Sequence, residues 1–83
     1  MFEITYSNQA VKFLTNCDNS LAERILSKIE KLRENLLLPE TIKLKGEDIF
    51  RVRVGKIRIL YIIKRKENIL LIAKIDNRAH VYD

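Results

Sequence analysis

The sequence predicts an α+β fold with an N-terminal strand and two helices, short then long, packed on an antiparallel sheet that a three-stranded C-terminal meander completes. Two patterns predict it: a helical period of apolar residues over 21–36, and an alternation of basic and apolar residues over 50–61 around a single glycine. With 83 residues and 47% hydrophobic content, the chain has enough apolar material for one core. We therefore expect a single domain over residues 1–83.

The N-terminal segment is expected to form one strand and to start two helices. Phe2–Tyr6 alternates apolar and polar residues, which predicts a strand, and Ser7 then offers an N-cap for the short helix. The turn-forming residues of 16–19 predict the end of that helix. Three residues are candidate caps for the long helix that follows: Asp18, Asn19 and Ser20.

The long helix carries apolar residues at intervals of three and four: Leu21, Ile25, Ile29, Leu32 and Leu36. Because charged residues take most of the remaining positions, this stripe is expected to face the core rather than a partner. Pro39 blocks helical continuation, so the helix should end before it. A second strand is predicted from Ile42 to Lys45, with a bulge or loop at 46–48 before the next strand.

The stretch 50–61 predicts a β-hairpin. Glycine at the first position of a two-residue turn at 55–56 suits type II′ geometry, and this turn places Arg53 opposite Arg58. The other expected pairs are Val54 with Ile57, Val52 with Ile59, Arg51 with Leu60, and Phe50 with Tyr61. We call the surface that carries Arg51, Arg53 and Arg58 the arginine face. Opposed like charges are unfavourable by roughly 0.2–1 kcal/mol, so we expect a compensating anion such as a phosphate, although a simply solvated basic face is the alternative.

Two further strands complete the meander. Ile57–Lys64 is apolar at most positions, which predicts a central strand covered on both sides. A turn at 65–68 precedes the last strand, from Ile69 to about Asp76. If Asp76 lies opposite Arg58, then Arg78 joins the arginine face, whereas a slip of one residue points Arg78 away.

Charge and composition narrow the function classes. Residues 1–42 carry 5 basic and 6 acidic side chains, net −1, and residues 43–83 carry 11 basic and 5 acidic, net +6. This excess favours a polyanionic partner, nucleic acid first. Cys17 is the single cysteine and is expected to pack, and without a cysteine or histidine cluster we expect no metal and no cofactor. The sequence has no long apolar run and no signal-peptide pattern, so we expect a cytoplasmic protein with no membrane contact.

The order of these elements, the hairpin of 50–61 and the ending Ile-Asp-Asn-Arg-Ala-His-Val-Tyr at 75–82 resemble the RelE/ParE toxin superfamily over nearly the whole chain. The resemblance implies a RelE-like fold and a toxin of a type II toxin–antitoxin system. Its RelE branch implies a ribosome-dependent endoribonuclease that cleaves translated mRNA by 2′-hydroxyl attack without metal. The implied partners are a cognate RelB-like antitoxin, the ribosome and mRNA, with DNA reached only indirectly through an antitoxin complex.

Carried over by position, the resemblance implies a catalytic set of Arg51, Arg53, Arg58, Arg78, His80 and Tyr82. Arg51 and Arg53 stand where several relatives have lysines, and a guanidinium stays protonated, so neither is a credible general base. His80 can act as acid or base near neutrality, and Tyr82 can stack, orient a base or share in proton transfer. The general base stays unassigned. Contacts to RNA or the ribosome are expected from Lys43, Lys45, Lys56, Lys64, Arg65 and Lys66, for which a solvated surface is the alternative.

Two other functions fit the same resemblance. A ParE-like toxin shares the fold but binds and poisons DNA gyrase, and it needs no catalytic residues of its own. A degenerate member would retain only antitoxin binding. Arginine density and the His80 and Tyr82 ending favour RelE, whereas the missing lysines leave ParE open.

Overall fold

The computed structural model describes residues 2–44 and 48–77. Its elements follow the predicted order: β1 Glu3–Tyr6, α1 Asn8–Asn16, α2 Asn19–Glu34, β2 Ile42–Lys43, β3 Ile49–Val54, β4 Ile57–Lys64 and β5 Ile69–Asn77. The α+β class, the short and long helices and the C-terminal meander are confirmed. The expectations for residues 45–47 and 78–83 lie outside the described residues.

Side-chain caps explain where both helices begin. Ser7 Oγ accepts a hydrogen bond from the Ala10 N–H at 3.1 Å, as predicted for α1. Among the three candidates for α2, the cap is Asp18, whose Oδ1 accepts from the Leu21 N–H at 2.8 Å. Neither of these helices is long and apolar enough to cross a membrane, a finding that covers residues 2–44 and 48–77.

The five strands form one sheet in the order β1-β5-β4-β3-β2. Strands β2 to β5 pair antiparallel as predicted, but β1 runs parallel to β5, so the sheet is mixed. The path of the two helices sets the direction of β1. The alternating pattern of a short segment predicts a strand but does not indicate whether it pairs parallel or antiparallel. After β2, the ladder continues with one bond from the Leu44 N–H to the Ile49 carbonyl at 2.8 Å.

The hairpin of β3 and β4 has the predicted register. Arg53 lies opposite Arg58, and the other four expected pairs are also present. Gly55 has a φ of +59°, as the first central position of a type II′ turn requires, and the φ of Lys56 is not positive. A residue with a Cβ is strained at that φ, so Gly55 supports the turn that sets the register.

Both helices cover the same face of the sheet. The buried residues of α2 are Ile25, Ile29 and Leu32, so the apolar stripe contacts the core as predicted. Alternate strand residues meet them: Phe50, Val52, Val54, Ile57, Ile59, Tyr61, Ile63, Leu70, Ile72 and Ile75. Tyr61 is fully buried and stacks on Phe50 with ring centroids 5.6 Å apart, and its hydroxyl donates to the Leu36 carbonyl at 2.6 Å. That hydroxyl ties the segment after α2 to the centre of the sheet.

The second face of the sheet corrects the prediction that β4 is covered on both sides. Burial alternates along β4, and the residues on the face away from the helices are only half-buried: Arg58, Leu60 and Ile62. Within the described part of the chain, no helix lies over them. An apolar run therefore predicts two buried faces even where the second face is half-exposed, because composition does not report what packs against it.

Candidate functional site

The arginine face lies on the side of the sheet opposite the helices. Arg51 and Arg53 alternate along β3 with the buried Val52 and Val54, which point toward the helices. Arg58 lies opposite Arg53 on β4 and therefore points to the same side. The predicted convergence of the three arginines is confirmed as geometry.

The anion beside Arg58 is a carboxylate of the protein itself. Asp76 lies opposite Arg58 on β5 and accepts from its guanidinium twice, from Nε to Oδ1 at 3.1 Å and from Nη2 to Oδ2 at 3.2 Å. The Arg58 and Asp76 side chains are 15% and 16% exposed, and Lys74 Nζ lies 3.8 Å from Asp76 Oδ2. We expected an external anion to offset the opposed pair of Arg53 and Arg58. That expectation was incomplete, because the third strand of the meander brings in Asp76.

The other two arginines of the arginine face, Arg51 and Arg53, differ from Arg58 in their exposure and hydrogen bonding. Arg53 is exposed and Arg51 is half-buried. Arg51 Nε is buried and has no hydrogen-bond partner among residues 2–44 and 48–77. The neighbours of Arg51 across the sheet are apolar: Ile42 on β2 is 48% exposed, and Leu60 on β4 is half-buried. Guanidinium groups beside apolar surface suit a nucleotide, since guanidinium binds phosphate in pairs of hydrogen bonds and also stacks on bases.

Side chains from the start of α1 hold the end of β5 in place. β1 pairs with β5 only as far as Ile72, and the β4–β5 register shifts just beyond it, which makes a β-bulge. Ser7 Oγ donates to the Ala73 carbonyl at 2.7 Å. The Gln9 amide then accepts from the Ile75 N–H at 2.8 Å and donates to the Ile75 carbonyl at 2.6 Å. Gln9 thus takes the place of a neighbouring strand for Ile75, the residue directly before Asp76.

Sequence reasoning missed both supporting residues. Asp76 entered only as a marker of register, although an acidic residue expected opposite an arginine was the available signal. Gln9 had no signal at all, because its contact with Ile75 joins residues 66 positions apart.

The predicted RNA-binding lysines are not gathered at the arginine face. Lys43 pairs with Phe50, so it points to the helix side, while Lys56 lies in the hairpin turn next to the arginines. Three further basic residues of the predicted set are exposed at the far end of the sheet: Lys64, Arg65 and Lys66. Arg65 lies 3.6 Å from Asp48 in an exposed ion pair.

Four predicted site residues lie outside the described residues: Lys45, Arg78, His80 and Tyr82. The register condition under which we predicted that Arg78 joins the arginine face is met, because Asp76 lies opposite Arg58. Arg78 itself stays a prediction. Among residues 2–44 and 48–77, no group of three histidine, cysteine, aspartate or glutamate side chains is placed to hold a metal ion.

Comparison with known proteins places this architecture in a family. The model for the ParE toxin of type II toxin–antitoxin systems, parDE, matches residues 4–82. The chain belongs to the RelE/ParE toxin superfamily. It is also similar to the protein named RelE1 from Methanocaldococcus jannaschii, with 31% identity over 85 residues that cover 98% of this chain and 94% of the relative.

Solved structures of the superfamily share the fold. The RelE–RelB complex from Pyrococcus horikoshii matches with a TM-score of 0.83 and 26% identity, over 93% of this chain and 94% of that one. The intact RelBE complex of E. coli also gives a TM-score of 0.83, over 93% and 96% of the two chains, but at 10% identity it shows the fold alone. The family model carries the ParE name and these relatives carry the RelE name, so membership by itself does not choose between the two branches.

Proposed function

We propose that this chain is a RelE-like toxin, a ribosome-dependent endoribonuclease that cleaves translated mRNA by 2′-hydroxyl attack without a metal ion. The arginine face is the observation that carries the proposal. Three guanidinium groups on the surface opposite α1 and α2, beside apolar side chains, provide the charge and the flat contact area that an RNA backbone needs. The RelE name of relatives that match almost the full chain supports the same branch.

The proposed reaction assigns cation roles to the arginines. A base removes the 2′-hydroxyl proton, O2′ forms a bond to phosphorus, and the 5′-oxygen leaves and takes up a proton. Negative charge grows on the phosphate oxygens during this step, and fixed guanidinium donors stabilise it. We assign this stabilisation to Arg51, Arg53 and Arg58, with Arg78 as a fourth cation.

Proton transfer must come from other groups, because the arginines stay protonated. His80 is proposed as acid or base, since an ordinary histidine titrates near neutral pH. Tyr82 is proposed to contact a base or to share in proton transfer. The pH dependence of cleavage by His80 and Tyr82 variants identifies which group is the general base.

We propose a RelB-like antitoxin as the protein partner and the cytoplasm as the compartment, because the proposed substrate is mRNA on the ribosome. Several matching structures are complexes of a RelE with a RelB protein. The exposed basic residues at both ends of the sheet are proposed to hold ribosomal RNA. If they do, ribosome binding weakens as salt rises, since each phosphate contact releases counterions.

The test is primer-extension mapping of a translated mRNA incubated with ribosomes and the protein. Wild-type protein should give cuts that require the ribosome, and Arg58→Ala and Arg78→Ala should slow cleavage about 10²–10³-fold, the usual effect of losing one transition-state donor. Arg33→Ala is the matched control, because it removes a partly exposed guanidinium from α2, paired with Glu30 at 3.3 Å, on the helix side of the sheet. Wild-type rates in both Arg58→Ala and Arg78→Ala would refute the assigned site.

The second candidate is a ParE-like toxin that binds and poisons DNA gyrase. The family model that matches residues 4–82 favours it by name. Growth arrest with intact mRNA, together with inhibited supercoiling by purified gyrase, would select this function over RNA cleavage. Induction without any growth arrest would instead indicate a member that only binds antitoxin.

A further inference from the structure

Asp76 is the one acidic side chain that the described residues place against an arginine of the arginine face. A negative charge at this position opposes the binding of a polyanion, so its presence requires a physical explanation. The geometry of its contact with Arg58 supplies one.

The contact fixes the orientation of a guanidinium group. Asp76 takes the edge formed by Nε and Nη2 at 3.1 and 3.2 Å, which is the two-bond arrangement that holds guanidinium and carboxylate in one plane. Because the guanidinium is planar and its Nε and Nη2 edge meets Asp76, Nη1 lies on the edge that faces away from this carboxylate. This contact limits the rotamers that the long Arg58 side chain takes beside the like-charged Arg53.

The carboxylate is itself held firmly. The backbone of Asp76 pairs with that of Arg58 across β4–β5. The preceding residue, Ile75, is hydrogen-bonded to Gln9 through both its N–H and its carbonyl. Lys74 Nζ at 3.8 Å adds a second positive neighbour. Asp76 is therefore a rigid acceptor rather than a mobile surface charge.

We propose that Asp76 is a positioning residue for RNA cleavage: it holds Arg58 so that the Nη1 side of the guanidinium meets the scissile phosphate. This inference rests on the proposed function. It implies that Asp76 raises the rate of the chemical step at the expense of affinity, because its charge repels RNA while its hydrogen bonds align Arg58.

The experiment compares wild-type, Asp76→Asn, Asp76→Glu and Asp48→Asn proteins in single-turnover cleavage on programmed ribosomes, with the melting temperature of each. Asn has one acceptor oxygen and an NH2 group in place of the second oxygen, so it cannot form the paired contact in which each of two oxygens accepts one bond from Arg58. For Asp76→Asn we expect the saturating rate to fall between about 10- and 10²-fold, a usual range for a misaligned group, and half-saturation to occur at equal or lower protein concentration. Asp76→Glu keeps the charge and both acceptors and should recover part of the rate.

Asp48→Asn is the matched control, since it removes the same charge from an exposed ion pair at the other end of the sheet. It should cleave at the wild-type rate. A saturating rate in Asp76→Asn equal to or above that of the wild type, with or without a lower melting temperature, would overturn the inference, and so would equal rates for Asp76→Asn and Asp76→Glu. An absence of cleavage by wild-type protein would instead overturn the proposed function, and this role with it.

Discussion

The ion pair between Arg58 and Asp76 should contribute measurably to stability, and a double-mutant cycle tests this. Two charge-assisted hydrogen bonds join the pair, and both side chains are about 85% buried, at 15% and 16% exposure. Exposed ion pairs contribute roughly 0.2–1 kcal/mol, while breaking a fully buried pair costs about 3–5 kcal/mol. The burial of this pair lies between these cases, so we expect a coupling free energy of roughly 1–2 kcal/mol.

The assay is urea or thermal unfolding of Arg58→Ala, Asp76→Ala and the double variant. Each single change leaves one charge without its principal partner, and for a domain of this size each 1 kcal/mol lost lowers Tm by about 4–8 °C. The double variant leaves neither charge behind, so its loss of stability should be smaller than the sum of the single losses by the coupling free energy.

The pair of Arg65 and Asp48 provides the matched cycle. Its atoms are 3.6 Å apart and its side chains are 56% and 45% exposed, so its coupling should lie near zero and below about 0.5 kcal/mol. Equal coupling in the two cycles, or additive losses for Arg58 and Asp76, would refute the argument that burial and paired hydrogen bonds make the inner pair strong.

Other changes test the fold around the site. Gly55→Ala should destabilise by about 1–2 kcal/mol in urea unfolding, because φ is +59° and an added Cβ would lie 3.2 Å from Arg24 Nη2. Asp18→Ala removes the α2 cap and should lower the unfolding free energy by about 1 kcal/mol, read by the same transition. Tyr61→Phe should cost about 1 kcal/mol through the lost bond to the Leu36 carbonyl, without changing the helix content seen by circular dichroism. Burial raises the pKa of Tyr61 above 10.0, aided by a nearby carboxylate and partly opposed by a hydrogen bond between the Tyr61 and threonine hydroxyls, so the folded state keeps this proton longer than the unfolded state. The resulting stability is complete below pH 10 and is lost as pH rises through the folded pKa. Ultraviolet titration should show late tyrosine ionisation, and Tyr61→Phe should reduce the amplitude of that late component, to which a second, partly buried tyrosine also contributes.

The sequence predicted the hairpin and its arginine face because both depend on neighbours along the chain. A glycine at the first turn position selects the turn, the turn selects the register, and the two-residue period then decides which side each arginine takes. The period of the long helix likewise predicted its buried stripe, since residues three and four apart share a helix face. These inferences needed no knowledge of distant partners.

The composition of β4 led to the wrong prediction that both of its faces are covered, because covering depends on distant elements of the chain. Leu60 and Ile62 are apolar, yet they lie on the face that the helices do not cover. Which face the helices take depends on the whole connection from β1 to β2. Patterns among neighbouring residues therefore cannot predict which face is covered.

What the sequence determined by itself is therefore the set of elements, their order, the hairpin register and the gathering of basic side chains in the second half of the chain. Only the tertiary structure decided that β1 runs parallel to β5, that Gln9 holds Ile75, and that Asp76 neutralises Arg58. The physical reason is separation along the chain. Turn and period preferences act over a few residues, whereas these contacts join residues 18 to 66 positions apart, which become neighbours only when the core closes.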